Sequence, residues 1–158
     1  MADTMCNIAR GKVNEYTARV ANNDPANSAI VLVLLKAAEA DAVLQDYDDL
    51  GTLLAAGGNT EADFTNYARK VLTDVDLTAP TPDDTNNWQT SDAPDQTWTN
   101  AGGATNNALV KMLICYDADT TAGTDSNIIP LAAMDFVKTT NGSDLQSLFD
   151  AVGWYKAA

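Results

Sequence analysis

The sequence predicts a mainly β protein: an antiparallel β-sandwich, jelly-roll-like, with an N-terminal helix and one or two further short helices. Three observations carry that expectation. The polar composition is dominated by 19 Asp, 14 Asn and 18 Thr, against 3 Glu. Asp and Asn favour turns and caps because their short side chains bond the local backbone, while Thr favours strands. Two apolar runs, AIVLVLL at 29–35 and ALVKMLICY at 108–116, have strand length. Regular βα alternation is absent, which argues against a doubly wound nucleotide-binding fold.

In chain order, 7–20 reads as an amphipathic helix, with Val13, Tyr16 and Val20 at helical spacing among Arg10, Lys12, Glu15 and Arg19. NNDPANS at 22–28 breaks it, because Pro25 fixes its own φ and disfavours helical geometry at Asp24. AIVLVLL shows no alternation, which suits a central strand covered on both faces. Positions Val43, Leu44, Tyr47, Leu50 and Leu54 return at helical steps over 39–56, and Gly57 and Gly58 offer a stop. Asp46, Asp48 and Asp49 crowd that helix, so two short helices are the other option. FTNYARKVL at 64–72 fits a helix or a strand, and a strand is expected. The stretch 78–107 is loop-rich, with DQTWTN as an edge strand.

ALVKMLICY forms a second apolar strand. Lys111 is expected to mark its more exposed face, placing Cys115 on that side and arguing against a buried thiol. A third strand covers 127–137, where Pro130 signals an edge or a bulge. GSDLQSLFDAVGWYKAA ends the chain with a short amphipathic turn or helix and an aromatic strand at Trp154 and Tyr155.

A chain of 158 residues is read as one domain, 1–158, with 1–22 as a candidate N-terminal contact helix or arm. Folding at this length buries about 70% of the unfolded surface, enough to dispense with a metal or a disulfide. The net charge is −13, and 12 of the 22 acidic side chains but only 3 of the 9 basic ones lie in 74–158. Such a surface repels phosphate and anionic lipid, so neither nucleic acid nor a membrane is expected as a partner. MADTMCNIARGK lacks the apolar core of a secretion signal, and no run is long enough to span a bilayer. The protein is therefore expected to stay where it is made, the cytoplasm, until lysis. Cys6 and Cys115 are read as free thiols in a reducing compartment, with a disulfide between them as the alternative.

The chemistry on offer is narrow. With 0 His, the usual general base, the imidazole-dependent serine triad and nearly every zinc site are missing. Carboxylate pairs such as Asp83–Asp84 or Asp48–Asp49 sit in polar runs without the apolar surroundings that raise a catalytic acid. No glycine-rich phosphate loop occurs. Trp88, Trp98, Trp154 and Tyr155 form either a sugar-stacking platform or, more commonly for such rings, core and edge aromatics. The Asp-rich stretch YDADTTAGTDSN at 116–127 is not an EF-hand: Thr121 stands for the third acid, Ala122 for the glycine, and no glutamate closes it. It is read as a long hairpin connection, with calcium on Asp117, Asp119 and Asp125 as the alternative. No cofactor, metal or catalytic residue is assigned.

The order of segments is specific as text. NIARGKVNEY, NNDPANSAIVLVLLKAAEADA, DYDDLGTLL, YARKVLTD, PTPDDTNNW, QTWTNAGG, ICYDADTTAGTDSNIIPL and FDAVGWYKAA together resemble a group of small structural proteins of tailed bacteriophages, common among phages of actinobacteria. The resemblance spans nearly the whole chain, and DPANSA, PDDTNN and CYDADTTAGTD–NIIPL are its most specific phrases. It implies a location in the virion and a non-enzymatic role, foremost a capsid decoration protein bound in several copies to the assembled major capsid protein. A homo-oligomer and contacts with other virion proteins follow from the same likeness. The contact would be made by Met5, Ile8, Val13 and Tyr16 with Arg10 and Lys12, unless that helix only caps its own core. The alternative is a neck, tail or fibre component that meets host glycans through Trp88 and Trp98. A carboxylate glycosidase acting on cell-wall polymer is the competing enzymatic class.

Overall fold

The computed structural model describes residues 3–150 and 153–157. Among them the chain forms eleven strands, three α-helices and two short 3-10 turns. In order these are β1 (Thr4–Met5), a 3-10 turn at Asn7–Ala9, α1 (Val13–Ala21), β2 (Ala29–Ala37), α2 (Asp41–Leu44), α3 (Leu50–Ala55), β3 (Thr60–Glu61) and β4 (Lys70–Leu72). Then come β5 (Pro82–Asp83), β6 (Trp88–Ser91), β7 (Gln96–Trp98), β8 (Ala108–Asp117), a 3-10 turn at Asp125–Asn127, β9 (Ile129–Thr139), β10 (Leu145–Ser147) and β11 (Tyr155–Ala157). The fold is thus mainly β, with several antiparallel sheets, and none of them closes into a barrel.

The central sheet runs β1-β9-β8-β2-β3, with β4 also on β2. Strand β2 is buried on both faces, as its uninterrupted apolar run requires. Ile30, Leu32 and Leu34 join Val13 and Val20 of α1, Phe64, Trp98, Met112, Ile114 and Tyr116 in one core. Ala29, Val31, Val33 and Leu35 join Leu44, Leu50, Leu53, Leu113 and Cys115 in the other. Side chains alternate along a strand, so one β2 sequence feeds two cores. The small sheet β7–β10 contributes Trp98 and Leu145 to the first core, Tyr155 of the sheet β5–β6–β11 packs against it, and α2 and α3 cover the second.

The 39–56 segment is two short helices because Asp49 caps the second, accepting the Thr52 N–H at 2.7 Å. The expected strand over 64–72 is confined to Lys70–Leu72. Residues 64–67 instead turn, with Asn66 at φ +69 and the Tyr67 N–H donating to Phe64 O at 2.9 Å. The reason lies on β2. Its outer edge pairs with β4 at Ile30–Leu32 and with β3 from Leu35, and the Leu34 N–H between them donates to the Tyr67 hydroxyl at 3.1 Å. A turn that delivers a side-chain acceptor fills the gap that a continuous strand would have filled with backbone.

Pro130 marks a bulge, as expected. Ladder pairs shift from Ile114↔Ala132 to Cys115↔Pro130, leaving Leu131 as the extra residue. Its carbonyl accepts the Cys6 N–H at 2.9 Å, which ties the N-terminal segment to β9. The C-terminal segment forms β10 and, at Tyr155–Ala157, the expected aromatic strand β11; part of the expected turn or helix falls on Ala151 and Val152, which lie outside the described residues.

Candidate functional site

The N-terminal face is the candidate contact surface. The expected helix over 7–20 is shorter than its spacing suggests: Asn7–Ala9 is a 3-10 turn and α1 begins only at Val13. Gly11 between them takes φ +77, a left-handed conformation that a glycine adopts without strain. Val13 is fully buried, while Met5, Ile8 and Tyr16 are partly buried against the same core. Tyr16 stacks on Tyr116 with ring centroids 4.5 Å apart. Of the four expected anchors, Val13 is spent on the protein's own interior, while Met5, Ile8 and Tyr16 each keep part of the side chain at the surface.

Arg10 and Lys12 are exposed there. Arg10 Nη2 donates to Gln45 Oε1 at 3.3 Å, and Asn7 Nδ2 donates to Asp46 Oδ1 at 2.5 Å, so this basic strip is pinned to the loop after α2. Arg19 is held by Glu15 one helical turn away, at 2.7 Å. Beside the strip a small cleft of about 380 Å³ is lined by Gly11, Asn14, Glu15, Ala18, Gln89, Tyr155 and Ala157. Asn14 organises its wall, donating to Gln89 Oε1 at 3.1 Å and accepting from Ser91 Oγ at 2.7 Å.

A larger cleft of about 880 Å³ opens between β9 and the β10 region. Its apolar lining includes Met112, Met134, Phe136, Leu145, Phe149 and Trp154, and Leu148 on its border is 70% exposed. Two of the carboxylates that reach it serve the fold: Asp3 Oδ1 accepts the Asp135 N–H at 2.8 Å, and Asp144 Oδ1 accepts the Asn100 N–H at 2.9 Å.

Several carboxylates are held below their ordinary range, each by a neighbour that stabilises the anion. Lys36 does so for Asp63, Asn86 for Asp83, Thr121 for Asp119 and Arg69 for Asp125. A general acid at neutral pH needs the opposite displacement. These side chains act as acceptors and counter-ions.

The Asp-rich connection follows that pattern. Asp117 accepts the Asp119 N–H at 3.0 Å, and Asp119 accepts the Thr121 N–H at 3.0 Å and its hydroxyl at 2.6 Å. Thr120 donates its N–H and its hydroxyl to Asn27 O, fastening the loop to the breaker before β2. Asp125 turns away to Arg69, and Gly123 supplies a φ of +62 between the two halves. Among the described residues no three His, Cys, Asp or Glu side chains converge as metal ligands, and no helix is long and apolar enough to cross a membrane.

The two tryptophans do not share an exposed surface. Trp98 is 2% exposed, donates its indole N–H to Ala68 O at 2.8 Å and packs against Phe136, so it belongs to the core and offers no ring to a sugar. Trp88 is half-buried under the Lys156 ammonium, 4.1 Å from the ring centroid.

Two constellations escaped the sequence. Arg69 grips Glu61 through Nε at 2.8 Å and Nη2 at 2.7 Å, and Asp125 through Nη1 at 2.5 Å and Nη2 at 3.0 Å. It thereby joins β3 to the β8–β9 connection. Lys111 does not mark an exposed face. It is fully buried, with Nζ 2.7 Å from both Asp41 Oδ1 and Asp135 Oδ1. Cys115 does lie on the same side, but that side is covered by α2 and α3, so the thiol is buried and pushed well above its ordinary pKa. The signal was a lone lysine inside ALVKMLICY, where an apolar run of central-strand type leaves little room for a solvated charge.

Comparison with protein-family models, with curated proteins and with solved structures finds no match for the chain.

Proposed function

We propose that this chain is a non-enzymatic structural protein of a tailed-bacteriophage virion, acting as a capsid decoration protein that binds the assembled major capsid protein shell and braces it. The observation that carries this reading is the segment-by-segment resemblance to small virion structural proteins, above all in DPANSA, PDDTNN and CYDADTTAGTD–NIIPL. The side-chain geometry supports it, since loop carboxylates bond their own backbone or a cation and so lock surface loops into fixed shapes. In this reading the jelly-roll-like sandwich consists of the central sheet faced by the two small ones.

The exposed pair Arg10 and Lys12 is the contact strip for an acidic patch of the shell, with the acidic later half of the chain outward. Several copies, as a homo-oligomer or around a symmetry axis, add weak contacts through avidity. Binding that engages only the assembled shell stabilises it by mass action. The protein is made in the bacterial cytoplasm and ends in the virion, with no cofactor.

The test is stoichiometry. In purified virions of the encoding phage, the chain is quantified against the major capsid protein by mass spectrometry. Hundreds of copies per particle support decoration. About a dozen or fewer would replace it with the neck, tail or fibre role, and absence from the particle would end both.

A further inference from the structure

Lys111 is the buried reactive group that a contact role leaves unused. It stands in β8, fully enclosed, with Leu35 as its cross-strand partner on β2 and Asp135 as its partner on β9. Around it on the same face lie Leu44, Leu113 and Ala133. Its Nζ is 2.7 Å from Asp41 Oδ1 at the start of α2 and 2.7 Å from Asp135 Oδ1. An amine held in apolar surroundings against one carboxylate from a separate element, with a second carboxylate on the same nitrogen, is the arrangement that a condensation needs.

We propose that Lys111 and Asp41 join in an intramolecular isopeptide bond, with Asp135 as the catalytic carboxylate. Asp41 is assigned as the acyl partner because it stands on α2, a separate element, so the bond would tie that helix to β8. Asp135, whose Oδ1 is equally close to Nζ, is the direct cross-strand neighbour on β9 and is assigned the proton transfers.

The steps balance without a further reactant. Asp135 takes one proton from the Lys111 ammonium and passes it to the Asp41 carboxyl as the freed nitrogen pair attacks Asp41 Cγ. The C–N bond forms and a tetrahedral centre results. Asp135 then takes a second proton from the nitrogen and gives it to the hydroxyl on that centre, the C–O bond breaks, and water departs. The third proton stays on the amide nitrogen, and Asp135 ends as the carboxylate it began as.

Three features favour the reaction. Fixed contact between the reacting groups replaces a bimolecular encounter. The product removes one buried ion pair, whose desolvation is costly in the folded chain. Asp41 and Asp135 keep 24% and 29% of their side-chain surface exposed, which gives the water a way out. Burial disfavours the Lys111 ammonium, but the hydrogen bonds to Asp135 and Asp41 outweigh it and raise the pKa. The neutral amine is thus the minor form, and the bond forms slowly, once per molecule.

The experiment is the intact mass of the folded, purified full chain, incubated at neutral pH and then denatured. The expected mass is one water below that of the sequence, with protease mapping giving a branched peptide that joins Lys111 to Asp41. Asp41→Ala, Lys111→Arg and Asp135→Ala should each carry the full mass. Wild-type protein at full mass after prolonged incubation overturns the proposal, whether or not any variant folds. So does a water loss mapped elsewhere, including a link to Asp135 or a cyclised aspartate.

Discussion

Replacing Arg69 with methionine removes the clamp between β3 and the β8–β9 connection while keeping much of the side chain's apolar bulk. Arg69 makes two hydrogen bonds to Glu61 and two to Asp125, all charge-assisted. Breaking a fully buried ion pair by removing one partner costs about 3–5 kcal/mol, because the other charge is left uncompensated. Here the partners are 26%, 24% and 38% exposed, so water recovers part of that loss. The expected cost at pH 7 is about 2 kcal/mol, which for a chain of this size lowers Tm by about 4–8 °C.

The pH dependence gives the argument its sharper edge. Arg69 holds the Asp125 carboxyl below its ordinary 3.8. A depressed carboxylate contributes stability that is fully present above the unfolded pKa and is lost as pH falls through the folded one. The gap between wild type and Arg69→Met should therefore narrow below about pH 4. Urea titrations followed by tryptophan fluorescence at pH 7 and pH 3 read both quantities, with buried Trp98 as the reporter. A loss below about 0.5 kcal/mol at pH 7, the scatter of ordinary surface substitutions, would refute the clamp. A gap that is unchanged at pH 3 would refute the role of Asp125 in it.

Three further outcomes are expected. Trp98→Ala should cost about 3–5 kcal/mol, seen as a fall in the urea midpoint, because it empties a core site and strands the Ala68 carbonyl. A stability unchanged by it would return that ring to the surface. Both thiols should resist a thiol-directed reagent in the folded chain and react once unfolded, since burial pushes the Cys6 thiol up to about 12 and Cys115 higher than its ordinary value. A disulfide between them is not expected either, because Cys6 follows β1 on one flank of β9 and Cys115 lies on the other, about 10 Å apart by strand spacing. Reversing charge with Arg10→Glu and Lys12→Glu should leave the unfolding midpoint within about 0.5 kcal/mol, as both are exposed, yet weaken co-sedimentation with assembled capsids at least several-fold. Undiminished co-sedimentation would move the contact elsewhere on the molecule.

Much of the fold is written locally. The unbroken run AIVLVLL announces a strand buried on both sides, Pro130 announces a bulge, and the spacing of Asp117, Asp119 and Thr121 announces a loop that bonds itself. Each depends on residues a few positions apart, where periodicity and turn chemistry act before any tertiary contact exists. The environment of a charge or a ring is not local. Lys111 becomes buried only because α2 and α3 close over its face. Trp98 is hidden because β7 sets it against Phe136 in the first core, and Arg69 finds Asp125 across 56 positions of sequence. Val13 and Val20 on the predicted stripe are likewise fully buried, which only the packing of α1 on the core decides. Pattern along a chain reports which side chains share a face, whereas burial and pairing depend on what the folded chain stacks against that face.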